Sequence, residues 1–169
     1  MSFKRCLVLL VLVFAGAGLA GAQEQTFVCV DSVQGDSVDV NHTGWIDAYG
    51  LDHTTTGGGT SATFTDVFIL KGTDRATSKL LRRVADGTII SSVTIDVCGP
   101  AGCYYRVILE NARVSQVSVA GSACVDTATS CTPAQTESVA FSFQRITWFY
   151  DTLGSGTNEE CWDLVGNTN

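Results

Sequence analysis

Apolar and polar positions alternate along most of the chain, with the period of half-buried β-strands. Residues 25–30 (QTFVCV) predict a first strand, and residues 44–53, with Trp45, Tyr49 and Leu51, predict a second. Residues 54–62 (TTTGGGTSA) have no apolar period and predict a loop. No Lys-Ser or Lys-Thr follows their glycines, so they are not a P-loop phosphate cradle. Residues 63–70 (TFTDVFIL) return to strand. The period then lengthens once. Ala76, Leu80 and Val84, with Leu81 beside them, mark the buried face of a helix. Thr73 or Asp74 is its N-cap, and Gly87 lies just beyond its end. Lys79, Arg82 and Arg83 fall toward the C-terminal end, where cations complement the helix dipole, so the Arg82-Arg83 pair reads as a solvated helix end.

Beyond the helix the period returns to two. Val93, Ile95 and Val97 alternate with polar residues, as do Tyr105, Val107 and Leu109. The two runs flank Cys98-Gly-Pro-Ala-Gly-Cys103 and predict a disulfide-closed hairpin. Residues 114–119 predict a further strand, and residues 121–136 a polar loop. Residues 137–150 (ESVAFSFQRITWFY) carry the longest strand signal. Val139, Phe141 and Phe143 occupy odd positions, whereas Ile146, Trp148 and Tyr150 occupy even ones. A strand cannot change parity and keep one face buried, so a bulge or corner is expected at Gln144-Arg145. Residues 161–165 predict a short last strand. With no internal repeat and no Pro-rich linker, the pattern is a mainly β barrel or sandwich of about eight strands with one short helix.

The N-terminus is different. Lys4 and Arg5 precede the apolar run LVLLVLVF at residues 7–14, and small residues lead to Ala20-Gly21-Ala22. This is the layout of a signal peptide cut before Gln23, and the run is shorter than the ~20 apolar residues of a membrane span. A retained anchor is the rival reading. Residues 23–169 then form one domain, expected to be secreted or periplasmic and free of the membrane. Removing Lys4 and Arg5 takes the basic count from 10 to 8 against 17 acidic residues, and the net charge from −7 to −9. Such a surface disfavours nucleic acid and anionic lipid.

Of the 7 cysteines, Cys6 falls in the leader. Cys29, Cys98, Cys103, Cys124, Cys131 and Cys161 remain, and an even set in an exported chain reads as disulfides. Cys98–Cys103 and Cys124–Cys131 close short loops, and by elimination Cys29 pairs with Cys161. Metal binding is the rival, but the two short spacings suit zinc poorly.

Little else suggests chemistry. His42 and His53 have no obvious third ligand and read as surface or turn residues. Ser155 lacks the spacing of a nucleophile elbow. Glu159-Glu160 are adjacent and would diverge. Trp45, Trp148 and Trp162 could form a sugar platform, although tryptophans at strand positions usually belong to the core. The residues predict no catalytic, cofactor-binding or metal-binding group.

The order of segments resembles the Hcp tube proteins of type VI secretion. Phe27-Val28-Cys29-Val30-Asp31-Ser32-Val33-Gln34-Gly35-Asp36-Ser37 resembles the family's opening strand and Gly-acid-Ser turn. KGTDRATSKL at residues 71–80 is similar to the Lys-x-x-Asp-x-x-Ser-Pro-x-Leu segment that starts its helix. Residues 42–51 and 105–115 resemble its second strand and hairpin. ESVAFSFQRITWFY is similar to its long strand ending in a basic residue, Ile, Trp and Tyr. The resemblance implies a β-barrel with one side helix and no catalytic residues. It also implies hexameric rings stacked into a tube, with small effectors carried in the lumen. The homo-oligomer is then the principal partner, and a secreted effector or another secretion component is a second one. The loop containing Asp52, His53, Gly57, Gly58 and Gly59 is the candidate inter-subunit contact. This sequence departs from the family pattern in its leader, its six mature cysteines and Ser78-Lys79 in place of Ser-Pro. The expectation is an exported, disulfide-bearing relative of the tube protein. The alternatives are a monomeric secreted binding module for a glycan or protein, and a hydrolase using a carboxylate pair.

Overall fold

The computed structural model describes residues 24–57, 62–124, 133–151 and 156–166. The chain order is β1 (Gln25–Val30), β2 (Ile46–Asp52), β3 (Thr55–Gly57), β4 (Ala62–Phe64), β5 (Val67–Gly72), α1 (Thr77–Asp86), β6 (Ile90–Gly99), β7 (Gly102–Cys124), β8 (Pro133–Ser142), β9 (Arg145–Asp151) and β10 (Thr157–Asp163). Eight of the strands form one antiparallel sheet in the order β10-β9-β7-β6-β1-β2-β5-β8, and a further β7–β8 pairing closes it into a barrel. Closure leaves no free edge among the six strands from β7 round to β8, while β9 and β10 extend the sheet beyond β7. β3 and β4 form a separate two-stranded ribbon.

The alternation read from the sequence sets the inward face. Val28, Val30, Ile46, Ile69, Val93, Ile95, Leu109, Val139, Phe141 and Ile146 are all at most 2% exposed and form one core. The expected parity change is a corner: β8 ends at Ser142, β9 begins at Arg145, and the Gln144 amide donates to the Glu110 carbonyl. Phe141 therefore points inward before the corner and Ile146 after it. Both halves run along β7, which pairs Arg113 with Ser142 and Glu110 with Arg145. Tyr150, expected inside, is 49% exposed, although β9 still pairs there with Tyr105 of β7.

Some boundaries differ from expectation. The strand expected at 114–119 is the second half of the 23-residue β7. The polar loop expected at 121–136 is shorter, because β7 and β8 pair as far as Cys124 and Pro133. Residues 63–70 are split by Thr65-Asp66 into β4 and β5. The glycine-rich loop becomes the β3–β4 ribbon, whose backbone pairs although neither face of β3 is buried.

The helix packs on β7 through Ala76 and Leu80, both fully buried, whereas Val84 is 37% exposed. Asp74, expected as the N-cap, lies two residues before the cap position Ala76, whose amide donates to its Oδ1 at 2.9 Å. Gly87 ends the helix at φ 64° and donates its amide to the Arg83 carbonyl. Among the described residues no helix is long and apolar enough to cross a membrane.

Candidate functional site

The predicted assembly loop is an arm. Asp52 ends β2, and His53-Thr54 lead into the ribbon. Thr55 pairs with Phe64, Thr56 with Thr63 and Gly57 with Ala62; Gly58 and Gly59 lie outside the described residues. Below the ribbon, the Thr65 amide donates to the Thr54 carbonyl at 3.0 Å and the Thr54 amide to Thr65 Oγ1 at 3.0 Å. The arm is rooted in aromatic rings. His53 lies 6.2 Å from Phe64, 5.9 Å from Phe143 and 6.3 Å from Trp148, and Phe64 lies 6.1 Å from Trp162. Phe143 is the corner residue between β8 and β9, so that corner seats the arm. His53, expected as a surface or turn residue, lies in the connection between β2 and β3 and is half-buried there. Burial holds its imidazole below the usual range, opposed by the Thr65 hydrogen bond and the nearby Asp52 charge. Trp148 and Trp162 pack against the core, which removes them from the sugar platform considered above.

A second constellation sits where the KGTDRATSKL segment starts the helix. The Lys71 side chain is fully buried, and its Nζ donates to Glu137 Oε1 at 2.5 Å, Asp74 Oδ1 at 2.7 Å and the Gly72 carbonyl at 2.7 Å. Thr77 Oγ1 also donates to Glu137 Oε1, at 3.0 Å. β5, β8 and the helix start are thereby tied through one ammonium. A buried cation is tolerated only when its donors are matched in this way. The sequence signal was present in Lys71, Asp74 and Glu137, but only pairing of β5 with β8 brings Glu137 to the lysine.

The third constellation is the hairpin disulfide. Cys98 and Cys103 are paired across β6 and β7 and are bonded, as expected. His42, expected as a surface or turn residue, does start a turn, its carbonyl accepting the Trp45 amide at 2.9 Å, but it is only 5% exposed. Its Nδ1 is 2.7 Å from Asp39 Oδ1, and its Nε2 is 3.1 Å from Asp96 Oδ2 and 3.8 Å from Cys103 Sγ. Arg106 holds Asp96 from the other side with two bonds of 2.5 and 2.7 Å.

The elimination that paired Cys29 with Cys161 fails. Both thiols are free. One cross-strand row runs Cys29, Thr94, Ile108, Thr147, Cys161, which sets the two cysteines four strand spacings apart, on the order of 15–20 Å. A disulfide needs its Cα atoms within roughly 7 Å. β10 docks on β9 rather than beside β1. Cys124 ends β7 and Cys131 lies outside the described residues, so that expected bond lies outside them as well.

These features define a closed antiparallel barrel that carries one flanking helix, a charge-anchored helix start and a projecting two-stranded arm. A family model described as "Type VI secretion system effector, Hcp" matches residues 27–150, and the chain belongs to the Hcp family. The fold is similar to that of Hcp1 from Salmonella typhimurium, at 22% identity and a TM-score of 0.75, covering 86% of this chain and 97% of that one. Hcp2 from the same organism gives 21%, 0.72, 86% and 99%. A type VI secretion system effector from Yersinia pestis gives 23%, 0.71, 82% and 98%. None of the curated proteins matches the chain.

Proposed function

We propose that this protein is an exported structural member of the Hcp family that assembles with copies of itself into rings or tubes, without catalysing a reaction. The observation that carries the reading is the arm. A two-stranded ribbon alone is at best marginally stable in water. Here its strands present Thr and Gly on exposed faces, while its root is locked to the barrel by His53 and Phe64. A ribbon held out by such a root suits docking on a neighbouring subunit. The family match over residues 27–150 supports the same reading.

The leader at residues 1–22 gives the route: export as a single chain, with residues 23–169 as the secreted or periplasmic domain. The hairpin disulfide suits that compartment. The test is the mass of the purified oxidised protein in solution by light scattering, with negative-stain imaging. Rings or stacked rings are expected. A monomer at every concentration would overturn the assembly reading.

A further inference from the structure

We propose that His42, Cys98 and Cys103 form a redox-gated site for a thiophilic divalent metal such as Zn²⁺, closed while the disulfide is intact and opened by its reduction. The one ring nitrogen and two sulfurs lie within 4.8 Å of one another. Tetrahedral zinc with nitrogen and sulfur ligands spaces those ligands by roughly 3.5–3.8 Å. The 3.8 Å between His42 Nε2 and Cys103 Sγ already meets that requirement. In the oxidised state the sulfurs are bonded to each other and offer no thiolate.

The imidazole is prepared for the role. Asp39 Oδ1 is 2.7 Å from Nδ1 and accepts the His42 amide at 3.0 Å, which turns Nε2 toward Asp96 Oδ2 at 3.1 Å and Cys103 Sγ at 3.8 Å. This is the carboxylate–histidine arrangement that orients ligands in metal sites. Phe27 stacks on the ring at 4.1 Å with planes 3° apart, and Trp45 meets it edge-on at 4.8 Å, so the ring is held from two sides. Asp96, bound to Nε2 at present, keeps its two bonds to Arg106 when the metal takes that nitrogen. A cavity of about 270 Å³ reaches one of the three ligands, Cys103, and the neighbouring Asp96, with Tyr104, Tyr105, Arg106 and Phe149 among its other walls.

The chemistry balances with a named reductant. A phosphine and one water give the phosphine oxide, two electrons and two protons. The Cys98–Cys103 bond breaks, and each sulfur takes one electron and one proton. Metal binding then releases those two protons as the thiolates form.

The experiment titrates Co²⁺ and Cd²⁺ into the purified protein, with and without prior phosphine reduction, and reads the thiolate-to-metal charge-transfer band. One equivalent taken up only after reduction is expected. The affinity should fall at least tenfold in H42Q and roughly 10–100-fold in D39N. C98S/C103S should abolish that uptake, although Cys29 and Cys161 are still present. A reduced protein whose band matches that of C98S/C103S overturns the proposal, as does loss of the fold on reduction by circular dichroism. If H42Q does not fold, D39N decides, and unchanged affinity there overturns it.

Discussion

Lys71 Nζ stands 2.5 Å from Glu137 Oε1, and neither side chain exposes any surface. The pair joins strands 66 residues apart in the sequence and reaches the helix through Asp74 and Thr77. Removing one partner of a buried ion pair leaves the other charge desolvated and unmatched, which costs about 3–5 kcal/mol. K71M should therefore lower stability by an amount in that range in urea unfolding. Adding E137Q to K71M should recover part of the loss, because the orphaned carboxylate is then neutral. A double variant no more stable than K71M would show that the charge is not what matters.

The cysteines separate clearly by position. C98S/C103S opens a short loop and should cost about 2 kcal/mol on the chain-entropy model. C29S/C161S should change stability by less than about 1 kcal/mol, because no bond is lost. Thiol counting on the native protein should label both of those cysteines. Cys29 should react more slowly: burial, then the charges of Asp31 and Asp96, push its thiol pKa up.

These residues also show what the sequence could and could not reveal. The hairpin at Cys98–Cys103 and the corner at Gln144 were legible because both are local: a short cysteine spacing, and a parity change in apolar positions. The Cys29–Cys161 pairing was inferred by elimination, and elimination ignores strand order, which put three strands between them. The ribbon was hidden because β3 is solvated on both faces, so its backbone pairing left no apolar period to read. His42 gave no signal, since its partners Asp96 and Cys103 lie 54 and 61 residues away. The long β7 was read as two strands because Glu110-Asn111 interrupts the alternation; Asn111 takes φ 49° there without breaking the strand.

Gly35 belongs to the turn that carries part of the family resemblance. A Cβ at this position would meet the Trp45 carbonyl and lie 2.7 Å from Ile46 Cα, both of them backbone. The turn has no flexible neighbour to yield, because the Gly35 amide donates to the Gly44 carbonyl at 2.8 Å and the Ser37 amide to the Trp45 carbonyl at 2.9 Å. G35A should be among the most destabilising single substitutions in the chain, at more than about 3 kcal/mol. G156A is the control: the added Cβ would meet nothing within 4 Å, although the φ of 122° carries local strain. Equal unfolding midpoints for the two variants would contradict the close approach.

The His53 ring makes the arm's root sensitive to acid. Its imidazole is held below the usual range by burial, with Asp52 as the nearest opposing charge. The unfolded imidazole titrates near pH ~6.5. Between that value and the lower folded one, the unfolded chain binds more protons than the native one, so stability rises with pH there. The contribution is present above pH ~6.5 and is lost as the pH falls toward the folded value. Urea midpoints of wild type should drop between pH 7.5 and 5.5, and H53F should flatten that drop. A parallel pH dependence in both proteins would assign the effect to other groups.

The arm itself is separable from the barrel. Thr54 and Thr65 are bonded to each other in both directions below it, and Thr55 pairs with Phe64 at its base. Replacing residues 56–63 by an Asn-Gly turn closes the same pair of strands with a favoured two-residue connection. Phe64 and His53 stay in place, so the aromatic root and the β8–β9 corner keep their packing. The shortened protein should keep the wild-type far-ultraviolet circular dichroism spectrum and unfold within a few degrees of wild type. Its mass by light scattering should fall to that of one chain at concentrations where wild type forms rings. If the shortened protein still assembles, the contact between subunits lies on the barrel wall, and the arm has another use.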